Sequence, residues 1–241
     1  MFTLSKIHSE LPFLSRIDAG VVTFSPEIKY CQIMYGSHFY QDALFNQFAI
    51  PFPEFLNKAP VKRRAEYVAA RYAAKLLLED EGCYDNVGSN LSRAPIWPTG
   101  FCGSISHSGN FAIASIAPRT TTLTLGIDIE MLGSKSIVRA ADIFCTPVEQ
   151  TLLSSCHIAY ETALLIAFSA KESLFKALFP EVNHSFGFKA SRIRQLDISA
   201  CRITLELIQT LTPTQTNGSL FYGYFSLQDN KVITLIAQNT I

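Results

Sequence analysis

Two long segments without helix breakers constrain this chain more than any other feature. Val61 to Glu79 contains no Gly or Pro, is rich in Ala and Leu, and sets Ala65, Ala69, Tyr72 and Leu76 along one apolar stripe. The second runs roughly from Ala159 to Phe179, where Pro180 is expected to end it. Short β-prone runs surround each one. Gly20–Phe24, Tyr30–Met34 and a hairpin over Cys102–Ala117, turning at Ser108-Gly109-Asn110, accompany the first. Leu123–Glu130, Phe186–Ile193, Arg202–Leu207, Leu220–Leu227 and Lys231–Ala237 accompany the second, and Thr146-Pro147-Val148-Glu149 reads as a capping box with proline at the first helical position. One long helix with several strands therefore occurs twice. The expected fold class is α/β (α+β), in two halves of residues 1–120 and 121–241 that meet in the polar run Pro118-Arg-Thr-Thr-Thr122. No residue-level repeat relates them.

Composition narrows the function. With 48% apolar and 17% charged residues the chain is globular, and its 20 basic and 20 acidic side chains cancel, so no overall positive field gathers nucleic acid or an anionic membrane. Recognition of phosphate has to be local. No apolar run approaches the roughly 20 residues of a membrane span. The first residues, Met-Phe-Thr-Leu-Ser-Lys-Ile-His, lack the pattern of a secretory leader, so a cytoplasmic protein is expected. Six scattered cysteines without a C-x-x-C read as free thiols.

The segment Leu123-Thr-Leu-Gly-Ile-Asp-Ile-Glu130 alternates, so Leu125, Ile127 and Ile129 share one strand face and Asp128 and Glu130 the other. Adjacent carboxylates repel unless a cation lies between them, and magnesium suits such a pair; the alternative is an amphipathic strand with its acidic side in water. In Phe168-Ser-Ala-Lys-Glu-Ser-Leu-Phe-Lys176, Glu172 and Lys176 stand at i and i+4 with Ser169 on the same side. The surrounding helix is apolar over much of its circumference, so these groups border a cleft, where Glu172 supplies a third carboxylate and Lys176 holds a phosphate. The alternative is an exposed ion pair. Arg64, Arg71 and Lys75 form a basic ridge, or else a solvated face. Gly103-Ser-Ile-Ser-His-Ser-Gly109 puts hydroxyls and an imidazole at a strand end, where an anion can be met. Gly-x-Ser-x-Gly, Walker and Gly-x-Gly-x-x-Gly motifs are absent.

Four ordered segments, Lys62-Arg-Arg-Ala-Glu-Tyr-Val-Ala-Ala-Arg71, Arg93-Ala-Pro-Ile-Trp-Pro98 leading into Gly103-Ser-Ile-Ser-His107, Gly126-Ile-Asp-Ile-Glu130, and Phe168 to Lys176, together resemble the 4′-phosphopantetheinyl transferases, in particular the enterobactin synthase component D branch. The resemblance implies two similar subdomains with pseudo-twofold symmetry, an N-terminal coenzyme A half and a C-terminal magnesium and catalytic half. It implies Asp128, Glu130 and Glu172 as Mg2+ ligands, Glu172 also as the base, and Lys176 on the pyrophosphate. Arg64, Arg71, Arg93 and His107, with Ser106, become the coenzyme A cradle, and Trp97 lies near the nucleotide or packs. The implied reaction moves the phosphopantetheine arm of coenzyme A to a serine of an apo carrier protein of a nonribosomal peptide or fatty acid synthase, docked on residues 134–158, by a monomer. Alanine at position 70, phenylalanine at 168 and serine at 173 depart from the commonest family pattern, and none is an implied ligand. The rivals are a magnesium-dependent phosphohydrolase and a noncatalytic carrier-binding subunit.

Overall fold

Turn chemistry decides which strands pair. Ser108 faces Phe111 across Gly109-Asn110, with Gly109 at φ +58°, and Gln228 faces Lys231 across Asp229-Asn230, at φ +47° and +59°. Gly, Asn and Asp accept the left-handed conformation that such two-residue turns need, which fixes both hairpins. The computed structural model describes residues 1–8, 12–120, 122–133 and 136–239. Thr121 in the expected junction, and Ser134 and Lys135 at the head of the expected docking segment, lie outside the described residues.

The chain divides into two compact units, Met1–Thr120 and Thr121–Ile241. The first contains β1 (Phe2–His8), β2 (Leu14–Val22), β3 (Ser25–Tyr35), α1 (Ala43–Gln47), α2 (Val61–Asp80), a small β4 (Gly88–Ser89) and β5 (Pro95–Ile96) hairpin, β6 (Phe101–Ser108) and β7 (Phe111–Pro118). Its main sheet is antiparallel in the order β1-β2-β3-β7-β6. The second contains β8 (Leu123–Met131), α3 (Ser136–Arg139), α4 (Ala141–Phe144), α5 (Pro147–Ser154), α6 (Tyr160–Val182), β9 (Ser191–Asp197), β10 (Arg202–Leu207), β11 (Leu220–Gln228) and β12 (Lys231–Asn239), with the antiparallel order β8-β12-β11-β10-β9. In each unit the strand before the long helix pairs with the unit's last strand, β3 with β7 and β8 with β12. The extra strands differ: β2 and β1 extend the sheet beyond β3, whereas β10 and β9 extend it beyond β11. Two similar α+β subdomains were expected, and their shared hairpin-and-helix plan is what the structure has.

Each long helix buries its face on its own sheet. Ala65, Val68, Ala69, Ala73 and Leu77 of α2 join Ile33, Tyr35, Ala112 and Ala114 in the first core. Small side chains on both surfaces permit close packing. The expected stripe through Tyr72 and Leu76 is therefore displaced, since both are only partly buried. In the second core Ala170, Leu174 and Leu178 of α6 meet Phe221, Phe225, Val232 and Ile236. This helix runs past Pro180 to Val182 and ends at Asn183, φ +53°; a proline in the last turn removes only one hydrogen bond before the left-handed cap. The strand expected over Phe186–Ile193 begins instead at Ser191, because the Phe186 ring packs on Phe175 and that of Phe188 on Phe168, which holds the chain in a short 3-10 turn. The capping box at Thr146 forms as read: Glu149 N donates to Thr146 Oγ1, and Thr146 N donates to Glu149.

Candidate functional site

The acidic face of β8 does not lie in water. The strand alternates as expected, yet it is the side carrying Gly126 and Asp128 that α6 covers. A Cβ placed on Gly126 would stand 2.0 Å from the Ser173 carbonyl oxygen and 2.7 Å from the Ala177 nitrogen. Glycine there lets the helix backbone settle onto the strand. Asp128, two residues on, is consequently 3% exposed, while Leu125, Ile127 and Ile129 on the opposite face are also buried. Its Oδ2 accepts from Ser169 Oγ at 2.8 Å and its Oδ1 from Lys176 Nζ at 2.5 Å. Ser169 and Ser173 both lie within hydrogen-bond distance of Thr234 Oγ1, at 2.9 and 2.7 Å, and Thr234 is the register partner of Asp128 on β12. These hydroxyls set the rotation of α6 over the sheet.

That rotation brings Glu172 to the same place, because it lies one turn from both Ser169 and Lys176. Burial pushes the Glu172 carboxyl above its ordinary value; the Lys176 ammonium opposes the shift and the Asp128 carboxylate assists it. Asp128, Glu172 and Lys176 are thus one electrostatic group, with Glu130 on the same strand face and partly exposed at its end. Among the described residues no three His, Cys, Asp or Glu side chains already stand close enough to hold a metal ion. Lys176 instead supplies the positive charge at Asp128. The donor set itself, all oxygen and rich in carboxylate around a buried aspartate, fits a hard divalent cation such as magnesium.

The opposite side of α6 is anchored just as firmly. Lys171, buried next to Glu172 in sequence, forms an ion pair with Glu149 at 2.7 Å and donates to the carbonyl oxygens of Phe144, Phe188 and Ser191. Glu149 also accepts from the amides of Thr146 and Ile193. Burial raises the Glu149 carboxyl, but Lys171 and these amides outweigh it and hold the group below its ordinary value. Sequence reasoning passed over Lys171; a lone ammonium on an apolar flank of the helix was the available signal.

In the first unit the anticipated basic ridge is dispersed. Arg64 is tied to Asp42 and to the carbonyl oxygens of Leu56, Asn57 and Ala59. Lys75 pairs with Glu79. Arg71 is only 7% exposed, stacks on the Tyr67 ring at 4.7 Å, and donates to Ser89 Oγ and the Gly88 carbonyl, while its Nε has no partner. A buried guanidinium whose donors are incompletely used suits an incoming anion. Arg93, at φ +66°, lies over the Phe55 ring at 5.5 Å, and Phe55 in turn packs edge-on against Tyr67. Trp97 packs over Gly103, where a Cβ would stand 2.7 Å from the indole, so its ring is part of the core. Ser106 is buried on β6.

The cation that meets His107 is Arg63, which sequence reasoning missed. Arg63 Nη1 contacts His107 Nε2, and Glu66 lies 3.3 Å from Arg63 Nη1 and 3.6 Å from His107 Nδ1. Neighbouring helical residues diverge by about 100°, so Arg63 and Arg64 face different surroundings. Glu66, three residues after Arg63, was the signal separating them.

Two family models match the chain: the 4′-phosphopantetheinyl transferase N-terminal domain over residues 52–117, and the 4′-phosphopantetheinyl transferase superfamily over residues 124–235. Enterobactin synthase component D of Salmonella typhimurium (strain LT2) is 33% identical over 192 residues, 79% of either chain. Its namesake in Escherichia coli (strain K12) is 36% identical over 184 residues, 75% of this chain and 79% of that one. The chain belongs to the 4′-phosphopantetheinyl transferase superfamily. It is a 4′-phosphopantetheinyl transferase of the enterobactin synthase component D type, an enzyme that moves phosphopantetheine from coenzyme A to carrier proteins. The transferase Npt of Nocardia iowensis is 29% identical over 192 residues, 75% of this chain and 84% of that one. A solved holo-[acyl-carrier-protein] synthase of Thermotoga maritima is similar at a TM-score of 0.40 and 16% identity, over 49% of this chain and 64% of that one. All four motifs of this transferase fall within the matched segments, and among its described residues no helix is long and apolar enough to cross a membrane.

Proposed function

We propose that this transferase works with Mg2+ held by Asp128, Glu130 and Glu172, and that its acceptor is an apo carrier domain of a nonribosomal peptide synthetase serving siderophore assembly. The observation that carries the reading is Asp128, buried at 3% exposure yet bonded to both Ser169 and Lys176, with Glu172 raised beside it. Lys176 balances one carboxylate, and with Glu172 and Glu130 added the acidic set exceeds that single charge, which a divalent cation can offset. The siderophore assignment rests on the relatives named enterobactin synthase component D.

Asp128, Glu130 and Glu172 would hold the magnesium, whose Lewis acidity would offset charge developing on the pyrophosphate. Glu172 accepts the proton of the acceptor serine, a task open to a carboxylate beside the reacting phosphate. The serine oxygen forms a bond to the phosphorus next to pantetheine as the bond from that phosphorus to the bridging oxygen breaks. Adenosine 3′,5′-bisphosphate leaves with the electron pair, and Lys176, exchanging Asp128 for the pyrophosphate, neutralises part of the charge that develops. Arg64, Arg71, Arg93, Ser106 and His107, joined by Arg63, form the proposed coenzyme A cradle. Among them Arg71, with its unpartnered Nε, is the group best prepared for a phosphate oxygen.

The carrier docks on residues 136–158. Val138, Ile143 and Val148 are 41%, 66% and 78% exposed there, a run of apolar groups on three short helices. The test is incubation with coenzyme A, magnesium and an apo carrier, followed by mass spectrometry of the carrier. A gain of one phosphopantetheine arm is expected. Free phosphopantetheine with an unmodified carrier would mean hydrolysis, and no magnesium dependence would remove the metal from the reading.

A further inference from the structure

An arginine contact on a histidine nitrogen reveals where the imidazole proton is. The Arg63 guanidinium carries only N–H donors. His107 Nε2 is its contact atom, and an Nε2 that accepts from Arg63 leaves the ring proton on Nδ1. Nδ1 faces the Glu66 carboxylate at 3.6 Å. Glu66 belongs to α2, His107 to β6, and Tyr35 of β3 lies within electrostatic reach of Arg63 and Glu66 while its hydroxyl donates to the Gly109 carbonyl. Opposite His107 in the sheet stands Ala112, which cannot ionise. Among the described residues, Arg63 and Glu66 are charged groups at the ring, and Tyr35 is coupled to both of them.

We propose that Glu66 is a positioning residue that orients His107 through Nδ1 and makes phosphate binding at this cluster take up a proton. A phosphate of coenzyme A attracts the Arg63 guanidinium away from Nε2. The vacated nitrogen then gains a proton from solvent and donates it in a hydrogen bond to the phosphate, giving an imidazolium held between two anions, the ligand and Glu66. One proton enters, no covalent bond changes, and the net charge brought by the ligand is partly cancelled at the site. This rests on the reading of the first unit as the coenzyme A cradle.

Adenosine 3′,5′-bisphosphate is the probe, titrated calorimetrically into the full chain near pH 7.5 in two buffers of different ionisation enthalpy, with 15N spectra of His107 recorded before and after. The ligand-free ring is expected as the Nδ1–H tautomer, and binding is expected to take up a substantial fraction of one proton. Glu66→Gln, which keeps the size of the side chain, is expected to bind about tenfold more weakly and to lose most of that uptake, whereas a merely structural role for Glu66 would weaken binding and leave the uptake per bound ligand unchanged. A ligand-free Nε2–H ring, binding without proton uptake, or uptake undiminished in Glu66→Gln would overturn the proposal and leave the cradle standing. Absence of binding by the wild-type chain would overturn the cradle, and the proposal with it. The tautomer measurement needs no variant and stands even where Glu66→Gln folds poorly.

Discussion

Lys176 Nζ stands 2.5 Å from Asp128 Oδ1, so an ammonium of α6 already satisfies an oxygen assigned to the metal. If Mg2+ binds as proposed, it competes with this ammonium for one carboxylate. Removing the ammonium with Lys176→Met is expected to tighten Mg2+ binding in the absence of coenzyme A by about tenfold, equal to about 1.4 kcal/mol, while lowering transfer at least a hundredfold. Calorimetric Mg2+ titration of both proteins measures the first effect. Weaker metal binding in the variant would mean that Lys176 supports the site rather than competing for it.

Asp128→Ala and Glu172→Ala, made separately, are each expected to reduce transfer below detection in the mass assay while leaving the far-ultraviolet dichroism of the chain unchanged. Their contributions are not additive, because both act on the same group of charges. Wild-type turnover with magnesium in either variant would refute the assignment.

The α6 to β8 contact is a steric prediction. Gly126→Ala puts a methyl carbon 2.0 Å from the Ser173 carbonyl oxygen, an atom of helix backbone that cannot rotate away. The helix has to lift, which stretches the Ser169 and Lys176 bonds to Asp128. A loss of about 3 kcal/mol in stability is expected, at the upper end of ordinary overpacking, with a fall in kcat greater than the loss of folded protein explains. Denaturant melts together with rates corrected for folded fraction check it.

The two-unit plan was legible because the strongest local signals agreed with it: the breaker-free helices, the Ser108-Gly109-Asn110 turn, and the capping box at Thr146. Alternation also separated Asp128 from Leu125 and Ile127. It did not reveal which face α6 would cover, because both faces of β8 are buried and periodicity carries no information about what lies opposite. The basic groups were the hardest to place. Arg63 and Arg64 are adjacent in sequence, but one meets His107 and the other is consumed by Asp42 and three carbonyl oxygens, a division set by tertiary contacts. Lys171 was hidden for the same reason, since nothing local announces that Glu149 lies beside it.

That buried pair gives acid sensitivity a definite sign. Glu149 is held below its ordinary 4.5 in the folded chain, chiefly by Lys171 once burial is offset. The unfolded chain therefore binds the proton more readily, the stabilisation is complete above about pH 4.5, and it is lost as pH falls through the depressed folded value. Glu149→Gln is expected to cost about 3 kcal/mol at neutral pH by leaving Lys171 buried without its counter-charge, and to flatten the pH dependence of stability below pH 4.5 relative to wild type. Urea melts from pH 3 to 7 test both, and parallel slopes for the two proteins would show that acid unfolding starts elsewhere.

The proposed docking segment makes the last prediction, and a split in kinetic constants tests it. Val148 and Ile143 project from α5 and α4 at 78% and 66% exposure, so a charge at either position costs the isolated protein little. Against an apolar partner surface the same charge is desolvated without a counter-ion, at a cost of about 2 kcal/mol or more. Val148→Asp and Ile143→Asp are therefore expected to raise KM for the apo carrier about thirtyfold, while KM for coenzyme A and the melting temperature stay near wild type. The same substitution at Leu91, an exposed apolar residue of the first unit, is the control and is expected to change neither constant. A carrier KM indifferent to Val148 and Ile143 would move the docking surface away from residues 136–158, and an equal rise in both KM values would show that these residues act through the site and not through the partner.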